Sequence, residues 1–387
     1  MSANFKINST VLKSQVVALS KAVKGAVLGE CNVYIRDLDD QTLSFYFSTM
    51  EISAEKYIPA DIVKPLQVAV SVKELNMKVS VLPDNVMLSV THVLKNENTQ
   101  FLKFEWGTNR KNTINVHTLN EQTDFLITPT PKSSVVMNVN KLFKYVDQLK
   151  NFALKSGSDD ARKYPKLTGI AISSNESGRA TFKACNRQNS VYLSDNDVSW
   201  LPEEIIFDAG HLIAVTSLIQ GNAEIEIGIN EMSSLVIVKS SDTTCVLRTL
   251  SGKYPEVEQY HNYDIAVSRY YFDRSELMDV CQRAIKVTAS GAKMLRIDTL
   301  GSNIFASVSS VLEQQLSATV EGMNWSFTVD AERLFDCAKL MEGVDEIILY
   351  LHDPCKPISI GSEDLPEMKI TTAPYRTAKQ APVASTC

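Results

Sequence analysis

The feature that most constrains this chain is a unit that occurs three times. Each time a strand-like run turns into a helix through a small or acidic residue, and a leucine follows within about one turn. The first helices read Asn8-Ser-Thr-Val-Leu12, Asn138-Val-Asn-Lys-Leu142 and Asp273-Arg-Ser-Glu-Leu277. The second read Ser71-Val-Lys-Glu-Leu75, Asp208-Ala-Gly-His-Leu212 and Asp330-Ala-Glu-Arg-Leu334. Corresponding leucines are separated by roughly 120 to 140 residues, the size of a domain rather than of a solenoid repeat. Three similar domains imply a scaffold made by repetition, which needs no catalytic centre.

At 387 residues the chain suits three domains of about 125 residues, each large enough to bury most of its apolar surface. The apolar fraction of 44% is ordinary, and no stretch approaches the roughly 20 apolar residues of a membrane span, so a soluble protein with no membrane partner is expected. Met1-Ser-Ala-Asn-Phe-Lys6 lacks a charged region followed by an apolar one, so no secretory signal is read there. The seven cysteines (Cys31, Cys185, Cys245, Cys281, Cys337, Cys355, Cys387) are widely spaced and never form C-x-x-C. They read as reduced thiols of a cytoplasmic protein rather than disulfides or metal ligands.

A second motif follows each second helix, where Leu82-Pro-Asp-Asn-Val-Met-Leu, Ile219-Gln-Gly-Asn-Ala-Glu-Ile and Met341-Glu-Gly-Val-Asp-Glu-Ile stop the helix and begin a strand. In the middle copy Ala223 to Ile227 alternate strictly, the period of a strand with one wet face. Later strands recur too: Asn115-Val-His-Thr-Leu119, Val246-Leu-Arg-Thr-Leu250 and Ile370-Thr-Thr-Ala-Pro-Tyr-Arg376. The fold class expected is therefore α+β, with two helices per unit embedded in short antiparallel strands. Thr128-Pro-Thr-Pro-Lys132 and Tyr260-His-Asn-Tyr-Asp264 read as linkers, giving domains at 1–129, 130–264 and 265–377 and a disordered tail at 378–387.

Familiar chemistry is missing from the pattern. Ser251-Gly-Lys-Tyr254 lacks the upstream glycine and following hydroxyl of a phosphate loop. Asp195-Asn-Asp197 begins like a calcium loop, but the sixth position is not glycine and Ile206 stands where a bidentate glutamate belongs. His92, His117, His211, His261 and His352 have no i,i+4 partner, so no metal site is expected. Asp39-Asp40, Asp159-Asp160 and Glu203-Glu204 read as solvated loop carboxylates. No nucleophile has a recognisable base, so neither an enzyme nor a cofactor is expected.

Charge is more informative. The net charge is −6, yet the segment from Val11 to Lys24 carries Lys13, Lys21 and Lys24 with no acid. The segment from Val139 to Lys155 carries Lys141, Lys144, Lys150 and Lys155 against Asp147 alone. An acidic molecule with locally basic helices suits one face meeting phosphates while the rest stays dissolved. The same lysines also fit the solvated side of amphipathic helices. In the third unit Arg274, Arg283, Lys286, Arg333 and Lys339 are offset by Glu276, Asp279, Glu332, Asp336 and Glu342.

The repeats, the run Thr249-Leu-Ser-Gly-Lys-Tyr-Pro-Glu-Val257 and the ending Ala373-Pro-Tyr-Arg376 together resemble one family, the bacterial-type DNA sliding clamp or DNA polymerase III beta subunit. The resemblance spans nearly the whole chain and is clearest from Leu167 to Thr377. It implies three clamp domains, each with two helices against two antiparallel sheets, and a head-to-tail homodimer closed into a ring around duplex DNA. The implied function is a processivity factor that holds the replicative polymerase and is loaded by a clamp loader. DNA-facing candidates are Lys13, Lys21, Lys24, Lys73, Lys78, Lys141, Lys144 and Lys150, with Arg162, Lys163, Arg283 and Lys286. Sequence-independent phosphate contacts at these positions allow sliding.

The resemblance also implies an apolar cleft for a partner peptide. The matching positions are Leu167, the loop Cys185-Asn186-Arg187-Gln188-Asn189, Pro255, Tyr260, Ile358, Thr371, Ala373 and Pro374. Leu167 and Ile358 also read as plain core, and Pro255 as a turn proline. Family members usually have Asp-Gly-His-Arg-Leu where Cys185 to Asn189 stand, and a large apolar residue at Ala373. The cleft is therefore expected to be more polar, as in a diverged clamp of a phage or mobile element, acting in a bacterial or host cytoplasm. Ile114 and Val116 against Ile285 and Val287 are the candidate dimer contacts. The alternative is a non-catalytic repeat scaffold that binds proteins and never encloses DNA.

Overall fold

The computed structural model describes residues 3–26, 31–96, 99–108, 110–119, 121, 125, 128–261, 263–353 and 356–375. The tail expected at 378–387, with Cys355 and Cys387, lies outside them. Seven helices are described: α1 Ser9–Ala26, α2 Val72–Ser80, α3 Val139–Leu149, α4 Asp159–Lys163, α5 Ala209–Leu218, α6 Arg274–Val287 and α7 Ala331–Leu340. All but α4 begin at the motifs read from the sequence. Their caps form as the residue types dictate: Asn8, Asn138, Asp208, Asp273 and Asp330 each accept a hydrogen bond from a first-turn backbone N–H. Ser71 occupies the same place before α2 without a side-chain bond. The leucine that follows each cap (Leu12, Leu75, Leu142, Leu212, Leu277, Leu334) is buried in every case, so the recurring leucine is the helix's anchor in its core.

The recurrence is also one of register. The strand before each first helix pairs with the strand after the second, and the capping residue meets its first residue: Asn8 with Met87, Asn138 with Glu224, Asp273 with Glu346. The next backbone N–H closes the corner each time, from Ser9 to Val86, Val139 to Ala223 and Arg274 to Asp345, at 2.8–3.0 Å. Three sequence repeats are thus three copies of one hydrogen-bonded frame.

The chain forms two compact units, residues 1–146 with 205–251 and residues 147–204 with 252–387. In the first, strands from two sequence repeats share one antiparallel sheet. Thr243–Arg248 of the second repeat pairs with Ile52–Pro59 of the first, from Thr243 opposite Lys56 to Leu247 opposite Ile52. Here α1 packs on both α2 and α5. In the second unit, Met368–Thr372 of the third repeat pairs with Asn189–Ser199 of the second, from Asn189 opposite Thr372 to Leu193 opposite Met368. A separate four-stranded sheet runs Leu312–Leu316, Asn303–Val308, Met294–Leu300, Phe327–Asp330, and α6 packs on α7.

Each of these inter-repeat seams is reinforced by side chains. In the first unit the ammonium of Lys56, only 2% exposed, donates to the Leu218 carbonyl at 2.7 Å, Asp242 at 2.7 Å and the Thr243 hydroxyl at 3.1 Å. Leu218 ends α5, so this one lysine ties helix and strand of the second repeat to a strand of the first. Burial pushes the Asp242 carboxyl up, but hydrogen bonds from Lys56, Asn222 and Thr243 together outweigh it and leave it below the usual carboxylate range.

Candidate functional site

All the cleft candidates fall in the second unit, and hydrogen bonds draw them into one neighbourhood around its seam. Asn189, Thr372 and Ile358 lie opposite one another on three adjacent strands, and Cys185, Ser190, Thr371 and Ser359 form the next row on four. The Asn189 carbonyl group of the side chain accepts from the Thr372 hydroxyl at 2.9 Å, and the hydroxyls of Ser190 and Thr371 share a bond of 2.6 Å. The Ala373 N–H donates to the Gln188 carbonyl at 2.7 Å. Beyond Pro374, Tyr375 is held by its N–H on the Thr328 carbonyl and its hydroxyl on Asp330, the cap of α7.

The loop from Cys185 to Asn189 is a hairpin turn closed by its own asparagine. The Asn186 side-chain oxygen accepts the N–H groups of Gln188 and Asn189, and the Asn186 N–H donates to the Asn189 carbonyl. Arg187 sits at φ 72°, a left-handed conformation that is unfavourable for a long side chain. Two contacts hold it there: an ion pair with Asp160 at 2.7 Å and a stack over the Tyr164 ring at 4.6 Å. Both partners come from the segment around α4, which continues into the turn Pro165–Thr168 carrying Leu167.

Leu167 and Ile358 are 6% and 3% exposed, so each belongs to the core under the seam and presents little surface. Pro255 and Tyr260 are exposed, and Ala373 and Pro374 are half-buried. Tyr254, which lies in the run Thr249–Val257 but is not among the cleft candidates, connects these parts. Its hydroxyl accepts the Cys185 N–H at 2.8 Å and donates to the Gly169 carbonyl at 3.2 Å. Burial pushes up both the Tyr254 phenol and the Cys185 thiol, the latter offset in part by the Arg187 N–H on its sulfur.

Of residues 260–264, expected to be a linker, Tyr260 and Tyr263 are bonded to strand Ile358–Gly361 of the seam. The Ser359 hydroxyl donates to the Tyr260 carbonyl at 2.9 Å and the Tyr263 hydroxyl to the Ile360 carbonyl at 3.0 Å. Tyr263 passes so close to Gly361 that a Cβ there would lie 3.1 Å from the phenol oxygen. Between these anchors His261 is buried beside Tyr192, with neither ring nitrogen bonded among the described residues. Burial, and then the positive charge of Lys369, lower its pKa to about 4.

The basic candidates lie on helix surfaces. Lys21 and Lys24 are exposed on the side of α1 opposite its buried leucines, and Lys73, Lys144 and Lys286 hold corresponding places on α2, α3 and α6. Lys78 and Lys141 are half-buried, and Lys163 is exposed. Others are engaged: Lys13 with Asp84 at 2.7 Å, Lys150 with Asp147, Arg162 with Asp159 at 3.6 Å, and Arg283 with the Gln314 side chain at 2.8 Å. Of the candidate dimer contacts, Val116 is 0% exposed and packs inside its own unit, Ile114 and Ile285 are half-buried, and Val287 is exposed.

Among the described residues no cluster of His, Cys, Asp and Glu is arranged to hold a metal, and no helix is long and apolar enough to cross a membrane.

No protein-family model matches the sequence, and no curated protein matches it. Solved structures do. The DNA polymerase III beta subunit of Thermotoga maritima superposes with a TM-score of 0.81 at 15% identity, over 97% of this chain and 99% of that one. The beta chain of Streptococcus pneumoniae gives 0.81 at 15%, over 96% and 99%. The beta subunit of Pseudomonas aeruginosa gives 0.79 at 16%, over 96% and 100%. The chain therefore has the sliding-clamp fold of these beta subunits along almost its full length.

Proposed function

We propose that this chain is a diverged sliding clamp: a non-catalytic, three-domain subunit that closes head to tail with a second copy around duplex DNA and holds a replicative polymerase through the cleft at the second seam. Its domains would be 1–129, 130–264 and 265–377, its loading would need a clamp loader, and its place would be the cytoplasm. The observation that carries this reading is the pair of matched seams. In each, the last strand of one repeat pairs with the fourth strand of the repeat before it. That rule leaves two strands over. Asn112–Leu119 ends the first repeat, and among the described residues its outer edge is paired only at Thr118 and Leu119. Leu312–Leu316 is the corresponding strand of the third repeat and, among the described residues, is paired on one side alone. A second copy would satisfy both edges, because unpaired edges favour strand addition. The same logic pairs α6 with α2 of the second copy, as α1 pairs with α5 within the chain. It supports Ile114, Ile285 and Val287 as contacts and adds the strand Leu312–Leu316.

The lysines on the outer faces of α1, α2 and α3 support the DNA side of the reading, since contacts to phosphate alone leave the protein free to slide. The test is topological. Purified protein loaded on nicked circular duplex should stay bound through gel filtration and be lost when the circle is linearised, while light scattering reports twice the chain mass. Equal loss from circular and linear DNA would favour a scaffold that does not enclose it.

A further inference from the structure

We infer that one end of the first seam is a separate docking surface, which takes a partner segment carrying lysine or arginine beside apolar side chains. It belongs to the first unit and stands whether or not a peptide docks at the second seam. The two most exposed large apolar side chains among the described residues are Met50 at 91% and Met232 at 84%. Far apart in sequence, they sit on two turns of one sheet. Turn 49–52 is closed by the Thr49 N–H on the Ile52 carbonyl, and turn 230–235 by the Asn230 N–H on the Leu235 carbonyl. The end of strand Thr243–Arg248 runs between them and bonds to both: the Arg248 N–H donates to the Glu51 carbonyl at 2.8 Å and the Thr249 N–H to the Ser234 carbonyl at 3.0 Å. Half-buried Leu235 lies opposite Arg248. A lone exposed methionine needs no explanation, but two on neighbouring turns leave apolar surface uncovered that neither turn requires. Methionine's unbranched thioether suits such a surface, because it repacks against apolar partners of different shapes.

Charge names the occupant. The two turns and the strand end carry Glu51, Glu231 and Arg248, all exposed. Arg248 and Glu51 offset each other in an ion pair at 3.8 Å. Glu231 has no ion-pair partner among the described residues. One uncompensated carboxylate therefore stands beside the methionines, on a chain whose net charge is −6. A cationic side chain next to an apolar one complements both features, while an acidic segment would meet like charge.

The test is subtractive panning. A random dodecapeptide phage library is first depleted on the full chain carrying Met50→Ser with Met232→Ser, then selected on the wild type. Both substitutions fall on exposed side chains, so circular dichroism should show the fold intact. The selected peptides should combine Lys or Arg with apolar residues and bind the wild type about tenfold or more tightly than the double variant. Glu231→Gln should weaken them by about threefold, the scale of an exposed charge contact. In a methyl spectrum of the full chain labelled at methionine, the Met50 and Met232 signals, assigned from the single variants, should move on titration with the best peptide while the other methionines stay still. Ala373→Arg should bind it as the wild type does. No peptide surviving depletion, selected peptides without a cation, unchanged affinity in Glu231→Gln, or shifts at other methionines would each overturn the inference. Loss of binding in Ala373→Arg would also overturn it, by assigning the selected peptides to the second seam.

Discussion

The two seams join consecutive repeats through the same five-residue antiparallel pairing but are fastened by opposite chemistry. In the first unit the fastening is a buried charge, Lys56, shared among Asp242, Thr243 and the end of α5. In the second it is neutral: a hydroxyl and amide ladder from Asn189 to Thr371 and Thr372, covered by a strap whose buried His261 is held uncharged. Backbone pairing decides that a seam forms, while side chains decide which conditions loosen it. An ion pair whose cation is buried is screened less by salt than a surface pair but is intolerant of losing one partner. A neutral ladder with a buried imidazole tolerates single losses better and is sensitive to acid.

The comparison breaks first at Lys56. Lys56→Ala should cost about 3 kcal/mol in urea unfolding, because it leaves the Leu218 carbonyl and an acidic group without their cation and opens a cavity. Asp242 is 36% exposed on its side chain, so water recovers part of the loss and the value belongs at the lower end for buried pairs. A cost below about 1 kcal/mol would show that the seam is fastened by backbone pairing alone.

Acid separates the seams next. The His261 pKa falls from 6.5 unfolded to about 4 folded, so the unfolded chain takes up the proton first. The neutral imidazole's contribution is complete above pH 6.5 and drains away as pH falls through 4, amounting to about 3 kcal/mol at most. Asp242 moves the other seam differently: its carboxyl lies below 3.8, so its contribution holds across that whole window and fails only at lower pH. Urea midpoints from pH 7.5 to 4.5 should therefore decline in the wild type and decline less in His261→Leu. Parallel curves would place the acid sensitivity elsewhere.

The ladder should respond least among the fastenings. Asn189→Leu and Thr372→Val should each cost about 1–2 kcal/mol, and the double variant clearly less than their sum, because only the singles strand a buried partner. Strict additivity would mean that the 2.9 Å bond between them contributes nothing.

Much of this frame was legible in the sequence. Caps and anchoring leucines are local signals, and they marked the start of six helices correctly because capping residues act within one turn. The fastenings were not legible. Lys56 and Asp242 are 186 residues apart, and nothing in a strand reading separates a buried lysine from a solvated one. His261 read as part of a linker because its surroundings, the Tyr192 ring and the charge of Lys369, come from other strands. The cleft positions came from family resemblance, which could name Asn189 but not that its side-chain oxygen would be taken by Thr372.

The smallest effect on folding separates two other regions, the first helices of the first and third repeats. α1 has three lysines and no acid, whereas α6 balances Arg274, Arg283 and Lys286 with Glu276 and Asp279. Lys21 and Lys24 are exposed on the outer face of α1, so Lys21→Gln with Lys24→Gln should change stability by no more than about 0.5 kcal/mol. Each lysine that meets a phosphate releases about one counterion, so the slope of log affinity against log salt on linear duplex should become shallower by about two. Arg283→Gln with Lys286→Gln removes the same formal charge, but Arg283 is already bonded to Gln314 and Asp279 lies exposed on the same helix. Its slope should change by less than half as much. Equal slopes would spread DNA contact evenly over the repeats, and no change in either would return these side chains to the role of solvating their helices.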